Sequence, residues 1–298
     1  MLDSERDAFL GHLRYERSMA ENTCVAYARD LRFFAEFLKR RGRSGAEEIT
    51  RDDISEYLMA ERKDGRKSTT RARRNVAIRM FLGFLKERRY IRSNPAELLD
   101  PPKKAKALPR VLSEEETFQM LDKVDGTDPR SLRDRAILEV MYGCGLRVSE
   151  LCALKLEDIV ADGEVLRVLG KGSKERVVPI GKAAGRAVTA YLASARDVFT
   201  KGDPSVREVF VTRLKKLFTR QAVFKLIRER AFAVGIAPER ISPHVLRHCF
   251  ASHMLQHGAD IRAIQELLGH ADIGTTQVYT HVDAARFGDL HRRFHPRG

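Results

Sequence analysis

Residues 242–282 read S-P-H-V-L-R-H-C-F-A-S-H-M-L-Q-H-G-A-D-I-R-A-I-Q-E-L-L-G-H-A-D-I-G-T-T-Q-V-Y-T-H-V, and the rest of the chain is best interpreted outward from them. The spacing predicts three consecutive short helices, each with its own start or stop signal. Ser242 serves as N-cap and Pro243 as first helical residue, where a missing N–H costs nothing, and Gly258 supplies a left-handed stop. Asp260 caps the next helix and Gly269 closes it. Asp272 opens a third turn or two that carries Tyr279. His244 and Arg247 then share a face at a helix start, beside unpaired backbone N–H groups that favour an anion. His270 sits just past a helix end, and Tyr279 is close enough in sequence to return to the same pocket. Two histidines, an arginine and a tyrosine converging on a helix N-terminus suggest a phosphate site with a potential nucleophile. Taken singly, the tyrosine fits a half-buried packing residue and His-x-x-Arg a solvated helix face. The joint pattern is far rarer than its parts.

The length of 298 residues suits two domains, each with its own core. The hydrophobic fraction of 43% is that of a globular protein, and no apolar run approaches the roughly 20 residues that span a bilayer. The start, M-L-D-S-E-R-D, has no apolar signal region, so the expected location is the cytoplasm. Cys24, Cys144, Cys152 and Cys249 are scattered without a C-x-x-C pair, which fits reduced thiols. The formal net charge of +14 points to a polyanionic partner. Residues 1–107 hold 25 Lys and Arg against 17 Asp and Glu, and the remainder 30 against 24. Both halves are basic, as expected if both touch nucleic acid.

The fold class expected is mainly α, with a small β-sheet or hairpin in a C-terminal domain. Residues 1–93 form a helical DNA-binding domain: a helix over 3–17, a second capped by Asn22 or Thr23, a third from near Asp52 and a fourth over about 68–89. Tyr27, Leu31, Phe34 and Leu38 recur at helical spacing on the second, and Ile78, Phe81, Leu82 and Leu85 face inward on the fourth. Lys67, Arg71, Arg73 and Arg74, with Arg66, cluster on the first turns of the fourth helix. Positive charge there opposes the helix dipole, so local stability does not account for it, whereas a helix end entering a DNA groove does.

Residues 94–110, rich in proline, are a linker, with Lys103 and Lys104 spaced for phosphates. The second domain, 111–298, opens with a capping box at Ser113 and Glu116. A helix follows over 131–142, and Gly143 and Gly145 then break the chain so that Arg147 begins a new segment. E-V-L-R-V-L-G and E-R-V-V-P-I flank G-K-G-S-K as a hairpin with Lys171 near its tip. The glycines there are too few for a P-loop. Helices resume at Ala183 and over about 219–233. Between them Arg213, Lys215, Lys216 and Arg220 are candidates for backbone phosphates.

G-L-R-V-S-E-L at 145–151, G-K-G-S-K at 170–174, H-V-L-R-H at 244–248, L-L-G-H at 267–270 and T-T-Q-V-Y-T-H-V at 275–282 resemble the tyrosine recombinase (phage integrase) family in order and spacing. Within it the chain looks like the Xer recombinases, and in S-P-H-V-L-R-H and the final H-P-R like the XerD type. The resemblance spans nearly the full length. It implies a SAM-like, core-binding N-terminal domain and a catalytic C-terminal one. It implies Tyr279 as nucleophile, Arg147 and Arg247 as phosphate clamp, His244 and His270 completing the pocket, and Lys171 as general acid. It further implies a 3′-phosphotyrosine intermediate, a tetramer with a XerC-like recombinase, control by an FtsK-like translocase, a dif-like chromosomal site, and docking of residues 284–298 on a neighbour. R-L-K-K-L-F-T-R-Q lacks the glycine expected in that loop.

A tyrosine hydroxyl has a pKa near 10 and is a poor nucleophile at neutral pH; two guanidiniums favour its phenolate and neutralise charge growing on the phosphate. The covalent bond conserves the phosphodiester energy, so no cofactor, neither ATP nor metal, is needed. A metal hydrolase is the different-class rival, since His244 with His248 and His253 with His257 are i,i+4 pairs. Neither has the glutamate of H-E-x-x-H, and no third ligand is evident. A non-catalytic site-specific DNA-binding protein explains the charge but not the tyrosine beside arginines and histidines. A mobile-element integrase is the alternative within the family.

Overall fold

The computed structural model describes residues 2–17, 19–97, 99, 111–170, 175–269 and 281–298. The chain divides into two compact units, Met1–Ala107 and Leu108–Gly298. It is mainly helical, with one small antiparallel sheet.

The first unit is built on helices α1 (Asp3–Gly11, running into a π turn at His12–Glu16), α2 (Glu21–Arg40), α3 (Arg51–Lys63) and α4 (Ser68–Glu87). The stripe Tyr27, Leu31, Phe34 and Leu38 of α2 is buried, as are Ile78, Phe81, Leu82 and Leu85 of α4. They close one core with Phe9, Ile54 and Tyr57, where Phe9 meets Phe81 edge-on at 5.5 Å. A capping box starts α3: Asp53 N donates to Thr50 Oγ1 at 3.2 Å and Thr50 N to Asp53 Oδ2 at 2.9 Å. The start of α2 departs from the sequence expectation. Ala20 is its N-cap, with no side-chain bond, and Asn22 and Thr23 already lie inside the first turn. The backbone N–H groups of Thr23 and Cys24 already donate to Ala20 O, at 2.8 and 3.1 Å, so the first turn is closed ahead of either candidate cap.

In the second unit, α5 (Glu114–Asp122) carries the expected box of Ser113 and Glu116. The central helix α6 (Pro129–Gly143) begins ahead of Ser131, because Asp128 caps it by accepting from Arg130 N and Ser131 N and Pro129 takes the first helical position. Ala136, Ile137, Leu138, Val140, Met141 and Tyr142 are all fully buried. The chain continues through α7 (Val148–Ala153), β1 (Ile159–Val160), β2 (Val165–Leu169), β3 (Glu175–Pro179), α8 (Lys182–Ser194), α9 (Arg196–Thr200), α10 (Arg220–Phe232), α11 (Pro243–Gln256), α12 (Ile261–Leu268) and α13 (His281–Phe294). The strands pair in the order β1-β2-β3, with Leu166 opposite Val178. β1 and α9 are too short to show a period and were not legible. Among the described residues no helix is long and apolar enough to cross a membrane.

The C-terminal segment packs on its own unit. Phe287 of α13 is buried with Phe250, Met254, Ile264 and Leu267. His291 Nε2 is 2.7 Å from Gly143 O, its ring stacks on His295 at 4.4 Å, and Arg297 donates to Asp122 at 2.7 Å and pairs with Glu139 at 3.1 Å. Burial pushes His291 down to about 4 and His295 well below the ordinary histidine range. The positive charges of Arg292, beside His291, and Arg297, beside His295, act in the same direction. Both imidazoles are therefore neutral when folded, and the unfolded chain binds more protons below about pH 6.5. Stability is full above that value and is lost as the pH falls towards 4. Thermal unfolding should show a lower Tm at about pH 5 than at about pH 7, and a smaller difference in His291→Gln.

Candidate functional site

Arg147 and Arg247 reach one place because two glycines turn the chain sharply. Between α6 and α7, Gly145 adopts φ +56°, and a Cβ there would stand 2.7 Å from Phe250 Cδ1. Only glycine satisfies both constraints. The turn delivers Arg147 as extended N-cap of α7. Its backbone N–H donates to Glu150 Oε2 at 2.7 Å, and its Nη1 to Oε1 at 2.8 Å. Gly269 ends α12 at φ +65°. α11 starts as read, with Ser242 Oγ accepting from Val245 N at 3.3 Å and Pro243 in the first turn.

Three guanidiniums meet three successive carbonyls at the end of α12. Arg176 Nε donates to Leu267 O at 3.0 Å, Arg247 Nη2 donates to Leu268 O, and Arg147 Nη2 to Gly269 O at 3.2 Å. The last carbonyls of a helix lack internal partners and carry its negative dipole end, so cations are stabilising there. Arg247 also donates to Gly145 O at 2.6 Å. Arg176 grips the Glu150 carboxylate with two bonds of 2.9 Å each, and Arg247 lies 3.9 Å from it. Burial alone would raise the Glu150 carboxyl, but the hydrogen bonds and charge of Arg176, together with Arg147, hold it down at about 2. Burial, with the charges of Arg147 and Arg176, lowers Arg247 to about 9, still protonated at neutral pH.

Three guanidiniums against one carboxylate leave the cluster cationic. Arg247 is 8% exposed at its side chain. Arg147 is 34% exposed and opens onto a cleft of ≈ 600 Å³ that it shares with Lys155, Arg167 and Gly170. Glu150, Glu157, Asp158 and Glu175 also line this cleft, so the excess positive charge lies in the arginine cluster itself, where an anion would meet the unspent donors of Arg147. His244 is exposed on the first turn of α11. Lys171, His270 and Tyr279 lie outside the described residues, as do Lys103 and Lys104.

The basic residues proposed for DNA contact divide. Lys67, Arg213, Lys216 and Arg220 are exposed, and Arg71 is half-buried. Lys215 is exposed, donates to Asp203 at 3.1 Å, and takes the left-handed φ of +55° where the loop has no glycine. Arg73 is exposed but donates to the buried Asp30 at 3.0 Å. Arg74 does not belong to the surface. It is buried, paired with Glu61 and Asp30, bonded to Tyr57 Oη and lying 4.4 Å over the Phe33 ring. The histidine pair His253 and His257 is spent internally: His253 bonds Tyr142 Oη and Leu112 O at 2.9 Å each, and His257 bonds Glu114 at 2.8 Å.

Glu150 and Arg176 were not singled out by sequence reasoning. The signals were present: Glu150 stands three residues after Arg147 at a helix start, and Arg176 occupies the same face of its strand as Val178, an inward position.

Residues 110–286 match the phage integrase family, and residues 7–89 match the N-terminal SAM-like domain of phage integrases. The chain belongs to the phage integrase family. It is a tyrosine site-specific recombinase, similar to tyrosine recombinase XerD of Halalkalibacterium halodurans, with 43% identity over 97% of this chain and 96% of the relative. It is 39% identical to tyrosine recombinase XerD of Haemophilus ducreyi, over 100% and 99% of the two chains. In fold it is similar to XerH recombinase bound to a palindromic difH substrate, at a TM-score of 0.74 and 22% identity, covering 92% of this chain and 80% of that one. The Tn1549 transposon integrase in complex with circular intermediate DNA gives a TM-score of 0.73 at 18% identity, covering 95% and 97%.

Replacing Glu150 by Gln removes the counter-charge of a buried cationic cluster while keeping its size. The recombinase should lose about 3–5 kcal/mol of stability, measured by urea unfolding at neutral pH.

Proposed function

We propose that this recombinase cuts and rejoins DNA through Tyr279, with Arg147 and Arg247 binding the scissile phosphate. What supports the reading is the convergence of these two arginines, from α7 and α11, on the end of α12 with excess positive charge. In the proposed step the Tyr279 oxygen attacks phosphorus and its proton passes to His244. The bond from phosphorus to the 5′ oxygen breaks, and that oxygen takes a proton from Lys171. The two guanidiniums and His270 hold the non-bridging oxygens as charge builds on them. One phosphoester bond is exchanged for another, so the 3′-phosphotyrosine retains the energy to be reversed by a 5′ hydroxyl from a second duplex, without ATP or metal.

The substrate we infer is a dif-like chromosomal site, and the role is resolution of chromosome dimers during segregation in the cytoplasm. The partners are a XerC-like recombinase, in a tetramer on two duplexes, and an FtsK-like translocase. The similarity to proteins named XerD over the whole chain favours this assignment over integration of a mobile element. Lys67, Arg71, Arg73, Arg213, Lys216 and Arg220 supply phosphate contacts that set affinity and salt dependence more than sequence choice.

Nicked suicide duplexes carrying a dif site test the reading. The wild-type protein should form a DNA adduct stable to denaturing gels, mapping to Tyr279, and Tyr279→Phe should bind the duplex with unchanged affinity and form none. An adduct on any other side chain, or persisting in the variant, overturns it.

A further inference from the structure

Arg176 is a buried charge to which the reading above gives no task. It is 4% exposed on β3, opposite Val168 in the sheet and on the same face as Val178. Both neighbours are apolar and buried, so the core there would accept an aliphatic side chain. Burying a guanidinium instead carries a desolvation cost that good geometry must offset.

The geometry ties three elements together. From β3, Arg176 reaches both oxygens of Glu150 on α7 and the carbonyl of Leu267 on α12. Its stem also fills the space beside Gly269, where a Cβ would stand 3.0 Å from Arg176 Cδ. The consequence falls on Arg147. Glu150 is buried and ionised, and it requires a counter-charge. Because Arg176 occupies both carboxylate oxygens, Arg147 gives only Nη1 to the pair, at 2.8 Å, and leaves the rest of its fork directed to Gly269 O and to the cleft. Without Arg176, Arg147 would be the one close cation for that carboxylate among the described residues, since Arg247 stands at 3.9 Å. A planar fork forms its strongest pair by turning both nitrogens onto a carboxylate, which would withdraw them from phosphate.

We propose that Arg176 is a positioning residue for strand cleavage: by neutralising Glu150 and gripping the end of α12, it keeps the Arg147 fork free and aimed at the scissile phosphate. The inference rests on the function proposed above, and Arg176 itself touches neither phosphate nor tyrosine.

The role predicts a signature that a merely structural ion pair lacks. The groups facing Glu150 are Arg147 from α7, Arg176 from β3 and Arg247 from α11. In the wild type they keep it ionised at all working pH values. Removing Arg176 leaves burial, which raises the carboxyl, opposed mainly by Arg147; once Glu150 takes up a proton it no longer competes for the Arg147 fork, so the cleavage defect should be deepest where Glu150 is ionised and shrink as the pH falls.

The experiment uses the full chain and a nicked suicide duplex carrying a dif site, comparing wild type, Arg176→Lys and Arg176→Met. Single-turnover adduct formation should slow by about 10- to 100-fold in Arg176→Met. Duplex affinity by gel shift should remain within about threefold, and the rate deficit relative to the wild type should narrow as the pH is lowered. Arg176→Lys keeps the buried charge, which protects folding, but loses the two-point grip; it should recover part of the rate and bring the pH profile back towards that of the wild type. Cleavage at the wild-type rate in a folded Arg176→Met or Arg176→Lys protein overturns the inference. So does an equal loss of binding and cleavage, or a pH profile parallel to that of the wild type. Absence of any adduct with the wild type would instead overturn the proposed function, and this inference with it.

Discussion

The second unit is organised by the need to keep three arginines close together, two of them out of water and the third opening onto the cleft. Like charges at such spacing repel, and burial makes each of them more costly. Two features offset this. Glu150 accepts four hydrogen bonds, from the Arg147 backbone and side chain and from Arg176. The C-terminal end of α12 presents carbonyl oxygens in a row, one to each guanidinium. Neither would suffice alone, since one carboxylate cannot balance three cations and a helix end contributes only a fraction of a charge. The residual positive charge is what a site for a phosphodiester requires.

A related arrangement holds in the first unit with the opposite outcome. Basic residues at the start of α4 oppose the helix dipole, which made DNA the natural explanation for all of them. For Arg74 the compensation is internal. Asp30 on α2 and Glu61 on α3 face it, and Tyr57 and Phe33 complete its surroundings. The same network fixes Arg73 through Asp30 while leaving it exposed. One helix start thus contains both a structural arginine and cations turned to solvent, and sequence position alone does not separate them, because the acidic partners come from other helices.

What was legible in the sequence was what local chemistry determines. Caps at Ser113, Ser242 and Asp260, the stops at Gly258 and Gly269, and the apolar stripes of α2 and α4 each depend on neighbours within a turn or two, and each is found where expected. The meeting of Arg147 with Arg247 was suggested by motif order, but its means was not. Glu150 and Arg176 act across β3, α7 and α12, and a strand residue's long-range partners leave no periodic trace. The short elements β1 and α9 fall below the length at which a period can be counted. The start of α2 was misplaced because Asn22 and Thr23 have capping chemistry, while the first turn closes on the carbonyl of Ala20, whose side chain gives no capping signal.

The C-terminal segment shows how packing of the last helix and the arginine cluster share material. His291 of α13 bonds the carbonyl of Gly143, the last residue of α6 before the chain turns towards Arg147. Phe250 lies at 6.3 Å from the His291 ring and 5.3 Å from that of His295. On its other side it sits against Gly145, so closely that no larger residue fits, and it shares a core with Leu267 and Leu268 of α12. The tail therefore presses on the turn that aims Arg147 and on the helix end that receives all three guanidiniums. Because close-packed interiors transmit displacement rather than absorb it, moving α13 would alter the backing of Gly143 and Phe250 together. The position of the last helix is in this way a property of the arginine cluster, and its neutral, stacked histidines belong to the same energetic unit.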